Sequence, residues 1–174
     1  MVWRHVAGRL FSPPLTVPAE KLDEREIAEL AERLHATARR TLGRSLSIRQ
    51  VDAGSCNGCE LEINMLNSVV YDLERFGLHF VASPRHADVM MVTGPTARNM
   101  REGLLRTHAA AGEPKFVVAV GDCAIDGGVF KGSYAVDGAV ANAVQVDLVI
   151  RGCPPSPAQM LVGLRLLLEA NAGP

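Results

Sequence analysis

From Leu46 onward the chain repeats one theme: a short β-prone run that stops in Gly, Ser or Pro and is often followed by residues at helical spacing. The runs are Leu46 to Val51, "LHFVAS", "ADVMMVTG", "KFVVAVGD" and "VDLVIRG". Their apolar residues are continuous where a half-exposed strand would alternate, as in strands covered on both faces. Such strands, interleaved with helices, predict a mostly parallel sheet in a three-layer α/β domain. Helices are expected from about residue 60 to 76, from about 99 to 111, and from 157 to 169. The first of these places Leu61, Met65, Val69 and Leu73 on one face, with Gly77 as its stop. A chain of 174 residues buries about 70% of the surface its unfolded form exposes, enough for one sizeable core.

Two segments precede this pattern. In residues 1–18, Trp3, Val6 and Leu10 share one helical face with Arg4 and Arg9 elsewhere, and "SPPLTVP" then breaks any helix. A short basic amphipathic piece of this kind suits a membrane surface or a partner's groove, and a frayed terminus is the plainer alternative. Beyond it, Ile27, Leu30, Ala31, Leu34 and Ala38 follow the spacing of a helix with one buried stripe. Asp23 with Glu26 reads as a capping box and Gly43 as the stop. Arg39, Arg40 and Arg44 crowd the C-terminal end, where they complement the helix dipole and need no ligand to explain them. Residues 1–45 are therefore expected to be an N-terminal helical extension and residues 46–174 the α/β domain.

The four cysteines fall at comparable places on this frame. Cys56 and Cys59, in "GSCNGCE", follow the first strand; Cys123 follows "KFVVAVGD", and Cys153 follows "VDLVIRG". All are at strand C-termini, and in an open parallel sheet these ends share the edge at which ligands bind. Thiols far apart in sequence can thus collect in one site. Glycines surround them, and Pro154 and Pro155 follow Cys153; glycine lets backbone approach a bound group closely, while proline stiffens the loop.

The N-terminus has neither the apolar region of a secretory signal nor a twin-arginine pair, and no uncharged apolar run approaches the roughly 20 residues of a membrane span. The chain is therefore expected to stay in the cytoplasm, where thiols are kept reduced and four cysteines bind metal more often than they form disulfides. Four thiolates suit an iron–sulfur cluster or zinc. Zinc usually takes two short cysteine pairs on small knuckles, whereas here one pair and two distant singles sit on a large domain, which favours the cluster. Zinc, and unrelated buried thiols, remain the other readings. A net charge of −1 and an aromatic content of 5% argue against nucleic acid as a partner.

Together, "SCNGCELEI", "YDLERFG", "SPRHADVMMVTGP", "VVAVGDCAIDGGVF" and "IRGCPPSP" resemble the small subunit of membrane-bound, energy-converting nickel–iron hydrogenases, formate hydrogenlyase included, a group related to a cluster-bearing subunit of respiratory complex I. The resemblance covers about residues 46 to 168. It implies a flavodoxin-like domain holding one four-iron, four-sulfur cluster, the proximal cluster of the hydrogenases, on Cys56, Cys59, Cys123 and Cys153. It implies an electron-transfer subunit of an oxidoreductase complex with no catalytic residues of its own. The implied partners are a hydrogenase-type large subunit, a ferredoxin-like iron–sulfur subunit and the membrane subunits, which would hold the chain peripherally on the cytoplasmic side of the inner membrane. The complex I relatives place their first two ligands as adjacent cysteines, and here Asn57 and Gly58 stand between them. That split favours the hydrogenase branch over a complex I-like chain passing electrons to quinone. A structural zinc module is the reading from another class.

Other residues near the cysteines are candidates for a role at the site. Glu60 and Glu62 stand just after Cys59, where the helix dipole favours carboxylates, or where one of them, Glu60 by adjacency, would serve a proton path. Asp122 and Asp126 flank Cys123 and suit turn capping. Thr93, Gly94 and Pro95 end a strand at the same edge, and Arg98 is the nearest candidate for a positive charge. His35, His79, His86 and His108 are scattered, and Met90 and Met91 suit core packing.

Overall fold

A computed structural model describes residues 24–113 and 115–171. The amphipathic reading of residues 1–18 and the Asp23 cap lie outside the described residues. Helix α1 spans Glu24–Leu42, strand β1 Leu46–Asp52, helix α2 Gly58–Met65, β2 Leu78–Phe80, β3 Val89–Thr93, α3 Arg98–Ala110, β4 Phe116–Val120, α4 Asp122–Asp126, β5 Leu148–Ile150 and α5 Pro157–Ala170. The five strands form one parallel sheet in the order β2-β1-β3-β4-β5, the flavodoxin-like order.

The continuous apolar runs serve two layers at once. Val89 and Met91 of β3, with Val118 and Val120 of β4, face a core built with Leu30, Leu34 and Ala38 of α1 and Leu161, Leu164 and Leu168 of α5. Their neighbours Met90, Val92, Val117 and Ala119 face the other side, against Leu104 of α3 and Val140. Both layers are what a run with no polar alternation requires. Helix α1 packs on α5 and β1, and its stripe of Ile27, Leu30, Ala31, Leu34 and Ala38 is buried. It thus shares the core of the residues that follow it.

Local chemistry sets the element ends. Gly43 ends α1 at φ 70°, its N–H donating to the Arg39 carbonyl at 3.0 Å. Ser156 opens α5 as a capping box: its hydroxyl accepts from the Gln159 N–H, and the Gln159 side chain accepts from the Ser156 N–H. Arg44 does more than complement a helix dipole. Its guanidinium pairs bidentately, at 2.5 and 3.1 Å, with Asp88, which is 1% exposed and also accepts from the Ser47 N–H. This pairs a buried charge at the start of β3 with the chain entering β1.

The helix expected over 60–76 is interrupted. After Met65 the hydrogen bonds tighten to i→i−3 steps (Leu66 to Ile63, Asn67 to Asn64, Ser68 to Met65), and Asp72 turns left-handed at φ 42° before a single 3₁₀ turn at Leu73–Phe76. The fold-back buries Leu66 and Leu73 together, the Leu73 N–H donating to the Leu66 carbonyl. Of the face expected to be buried, Leu73 alone is inside; Leu61, Met65 and Val69 are exposed, Val69 at 97%. Cys59, Glu60, Ile63 and Leu66 are the buried residues there. The strand read from "LHFVAS" stops at Phe80, just before the Ser83-Pro84 turn.

Candidate cofactor site

Loops at the carboxyl edges of four strands enclose a cavity of about 80 Å³. Ser55, Cys56, Gly58 and Cys59 line it after β1, Gly94 after β3, Asp122 and Cys123 after β4, and Gly152, Cys153 and Pro154 after β5. The four sequence-predicted cysteines therefore converge. All four are free thiols; Cys59 and Cys123 are buried, while Cys56 and Cys153 are exposed at the rim. A single water needs roughly 10–15 Å³, so the cavity has room for a group of several atoms. Among the described residues, no three His, Cys, Asp or Glu side chains gather at the spacing of one metal ion.

Backbone devices place Cys56, Cys59 and Cys123. Asp52 Oδ1 accepts from the N–H groups of Gly54 and Ser55 at 2.7 and 2.8 Å, pinning the turn out of β1. Asn57 takes a left-handed φ of 71° between the paired cysteines, which aims Cys59 inward from the first turn of α2. Two glycines press against sulfur. A Cβ on Gly121 would lie 2.5 Å from Cys59 Sγ, and one on Gly128 would lie 2.8 Å from Cys123 Sγ. Both have positive φ, 87° and 47°, so any other residue there is strained and also displaces a sulfur.

The thiols feel one another. Burial, then Glu60, then Cys123, Cys56 and Cys153 push the Cys59 thiol up to about 12. Burial likewise raises Cys123, against a lowering hydrogen bond from the Val129 N–H, with Cys153, Cys56 and Asp122 adding to the rise. Burial and mutual repulsion oppose ionising these thiols, so a group that binds them as thiolates must bring positive charge. A sulfur-ligated polynuclear group fits both that demand and the volume, and zinc fits the donor chemistry.

Glu60 is the buried carboxylate of the site. It is 6% exposed, and its Oε1 accepts from the Ser55 hydroxyl at 2.5 Å and from the Thr93 hydroxyl. Its Oε2 is buried without a hydrogen-bond partner among the described residues. Glu60 thus ties α2 to β3 and to the first cysteine loop, a role that helix-dipole placement alone does not describe. Glu62 is only half-buried. Asp126 caps its own turn, accepting from the Gly128 N–H at 2.9 Å, as the sequence indicated. Asp122 instead accepts from the N–H of Gly152, on the loop after β5. Arg98 faces Asp137 at 3.5 Å and does not line the cavity; the arginine beside the site is Arg151, 3.7 Å from Asp122. Thr93, which the sequence placed at this edge, is tied in through Glu60; Ser55 and Arg151 escaped sequence reasoning, Arg151 because its contact with Asp122 joins segments distant in the chain and Ser55 because no spacing marks its side-chain bond to Glu60.

Fold and site together define a class: a doubly wound α/β domain with a four-thiol cavity at the carboxyl edge of its sheet. Within that class, the chain belongs to the NADH ubiquinone oxidoreductase, 20 Kd subunit family, whose model matches residues 56–167 and so spans all four cysteines. Over 135 residues it is 42% identical to formate hydrogenlyase subunit 7 of Escherichia coli strain K12, covering 78% of this chain and 53% of that protein. This chain therefore spans about half the length of that relative. It is 40% identical over 131 residues to the probable membrane-bound hydrogenase subunit mbhJ of Pyrococcus furiosus, covering 75% of this chain and 78% of that one. A solved structure of the membrane-bound sulfane sulfur reductase, an archaeal respiratory membrane complex, contains a chain 33% identical, with a TM-score of 0.66, covering 81% of this chain and 76% of that chain. The motif resemblance to hydrogenase small subunits and complex I relatives is thus family membership.

Proposed function

We propose that this chain holds one four-iron, four-sulfur cluster on Cys56, Cys59, Cys123 and Cys153 and relays electrons through it to the large subunit of a membrane-bound hydrogenase complex. The observation that carries the reading is the gathering of four thiols, supplied by the loops after β1, β4 and β5, in one cavity of several-atom size. When bound, the cluster supplies one-electron redox chemistry. The chain's own residues do the rest. Cys59 and Cys123 bind from the buried side and Cys56 and Cys153 from the rim, while Gly121 and Gly128 leave space for sulfur.

Leu61, Met65, Val69 and Val70 are exposed apolar side chains on α2 and the turn after it, the segment that follows Cys56 and Cys59 in the chain. A large subunit seated there would shield the cluster, with a ferredoxin-like subunit as donor and the membrane subunits anchoring the assembly at the cytoplasmic face. No helix among the described residues is long and apolar enough to cross a membrane, which suits a peripheral position. Glu60, buried and with one oxygen unpartnered, is the residue we assign to a proton path toward the partner's active site.

The test is elemental and spectroscopic. The chain purified without oxygen should contain four irons and four acid-labile sulfides and show a reduced-state paramagnetic signal, and Cys153→Ser should lower the iron content and alter that signal. Full occupancy with an unchanged signal in that variant removes Cys153 from the ligand set. A second reading, with the same relay but another terminal acceptor, is favoured by the likeness to a chain of the sulfane sulfur reductase complex; quinone is the complex I-like form of it. A native complex without nickel selects that second reading.

A further inference from the structure

The loops carrying Cys123 and Cys153 are joined by a reciprocal clamp. The Gly121 N–H donates to the Ile150 carbonyl at 2.8 Å and the Asp122 N–H to the Gly152 carbonyl at 2.9 Å. In return, Asp122 Oδ1 accepts from the Gly152 N–H at 3.2 Å. Asp122 is the residue before Cys123, and Gly152 the residue before Cys153. The clamp therefore registers the two cysteines directly. No side chain fits at Gly152, because its φ is 141° and a Cβ there would lie 2.5 Å from Pro155.

The same carboxylate has an electrostatic side. Asp122 lines the cavity, whereas Arg151, 3.7 Å from Asp122 Oδ1, does not. Arg151 is 68% exposed and Asp122 39% exposed. Of the pair, the negative partner is thus the one at the cavity, and the positive partner is the more exposed. A negative charge beside a redox centre disfavours the added electron and lowers the midpoint potential, and net charge near the sulfurs is one of the levers that set a cluster's potential.

We propose that Asp122 is a positioning residue that fixes Cys123 against Cys153, and that its carboxylate holds the potential of the bound cluster down, with Arg151 as the counter-charge. This rests on the cluster reading given above. Asp122→Asn keeps an oxygen acceptor for the Gly152 N–H and removes the charge. Arg151→Gln removes the counter-charge and leaves the clamp. The two variants should shift the potential in opposite directions: Asp122→Asn upward and Arg151→Gln downward, each with wild-type iron content. Asp122→Ala, which loses the acceptor, should give up its iron to a chelator several-fold faster than wild type.

The experiment is an anaerobic redox titration of the purified full chain, followed by its paramagnetic signal, with iron determined on the same samples. Unchanged potentials, or shifts of the same sign in the two charge variants, overturn the electrostatic role. Iron retention in Asp122→Ala equal to wild type overturns the positioning role. A wild-type chain that binds no iron overturns the cluster reading and this inference with it, and iron determination on the wild type separates that outcome from the others.

Discussion

Cys59 shows how much of a thiol's character comes from its surroundings. Its thiol is pushed to about 12 mainly by burial, and next by Glu60 and the other cysteines. The raised value has a definite sign for the cluster-free chain. An acid whose folded pKa exceeds its unfolded value contributes stability below the unfolded value and loses it as pH rises toward the folded one. The cluster-free chain should therefore unfold at lower urea as pH climbs from 9.0 toward about 12, and Cys59→Ala should flatten that slope. Loading a cluster exchanges thiol protons for metal, so proton release on reconstitution accompanies it. Glu60→Gln tests the neighbouring carboxylate: a proton path predicts lost hydrogen turnover with the cluster still reducible, whereas a purely structural tie predicts unchanged turnover in whatever complex assembles. The cysteines were legible because each follows a strand and needs only the rule that parallel strand ends share an edge. Asp122 with Gly152 was not, because that contact joins residues 30 positions apart, and no local spacing encodes it.

At the scale of elements, periodicity located α1, α3 and α5 well and misread the segment after Cys59. The spacing of Leu61, Met65, Val69 and Leu73 is a genuine helical stripe, but the helix ends at Met65 and its inner face is set by Cys59, Glu60 and Ile63. Hydrogen bonds closing i→i−3 and a left-handed Asp72 decide this, and an apolar pattern records neither. The two kinds of apolar residue separate under substitution. Leu34→Ala in α1, at a fully buried position, should cost about 2–5 kcal/mol by the usual measure of a core cavity, read as a lowered denaturation midpoint. Val69→Asp, at a position 97% exposed, should leave that midpoint within about 0.5 kcal/mol of wild type yet weaken recovery of the assembled complex in pull-down. Equal losses of stability in the two variants would contradict the division between core and rim.

Among the described residues, the candidate site occupies one edge of the sheet. Buried Cys59 and Cys123 lie at the cavity floor and exposed Cys56 and Cys153 at its mouth, so a cluster held by this chain alone would meet solvent on one side. An exposed iron–sulfur centre is open to oxidants and chelators, and a partner seated over the cavity mouth would remove that exposure. The isolated chain should therefore lose iron in air faster than the assembled complex does, and the Val69→Asp chain, if it fails to assemble, should lose iron at the isolated rate. Direction of electron flow is tested on the same complex. If the large subunit carries nickel and reduces protons, hydrogen gas should reduce the cluster, and Cys59→Ser should abolish hydrogen evolution while the large subunit keeps its nickel. A cluster that hydrogen leaves oxidised, in a complex without nickel, assigns the relay to another acceptor. Loss of nickel together with the cluster in Cys59→Ser would mean that the two subunits mature as one unit, and the relay would then have to be tested on Asp122→Asn, which keeps all four thiols and alters only the charge beside them.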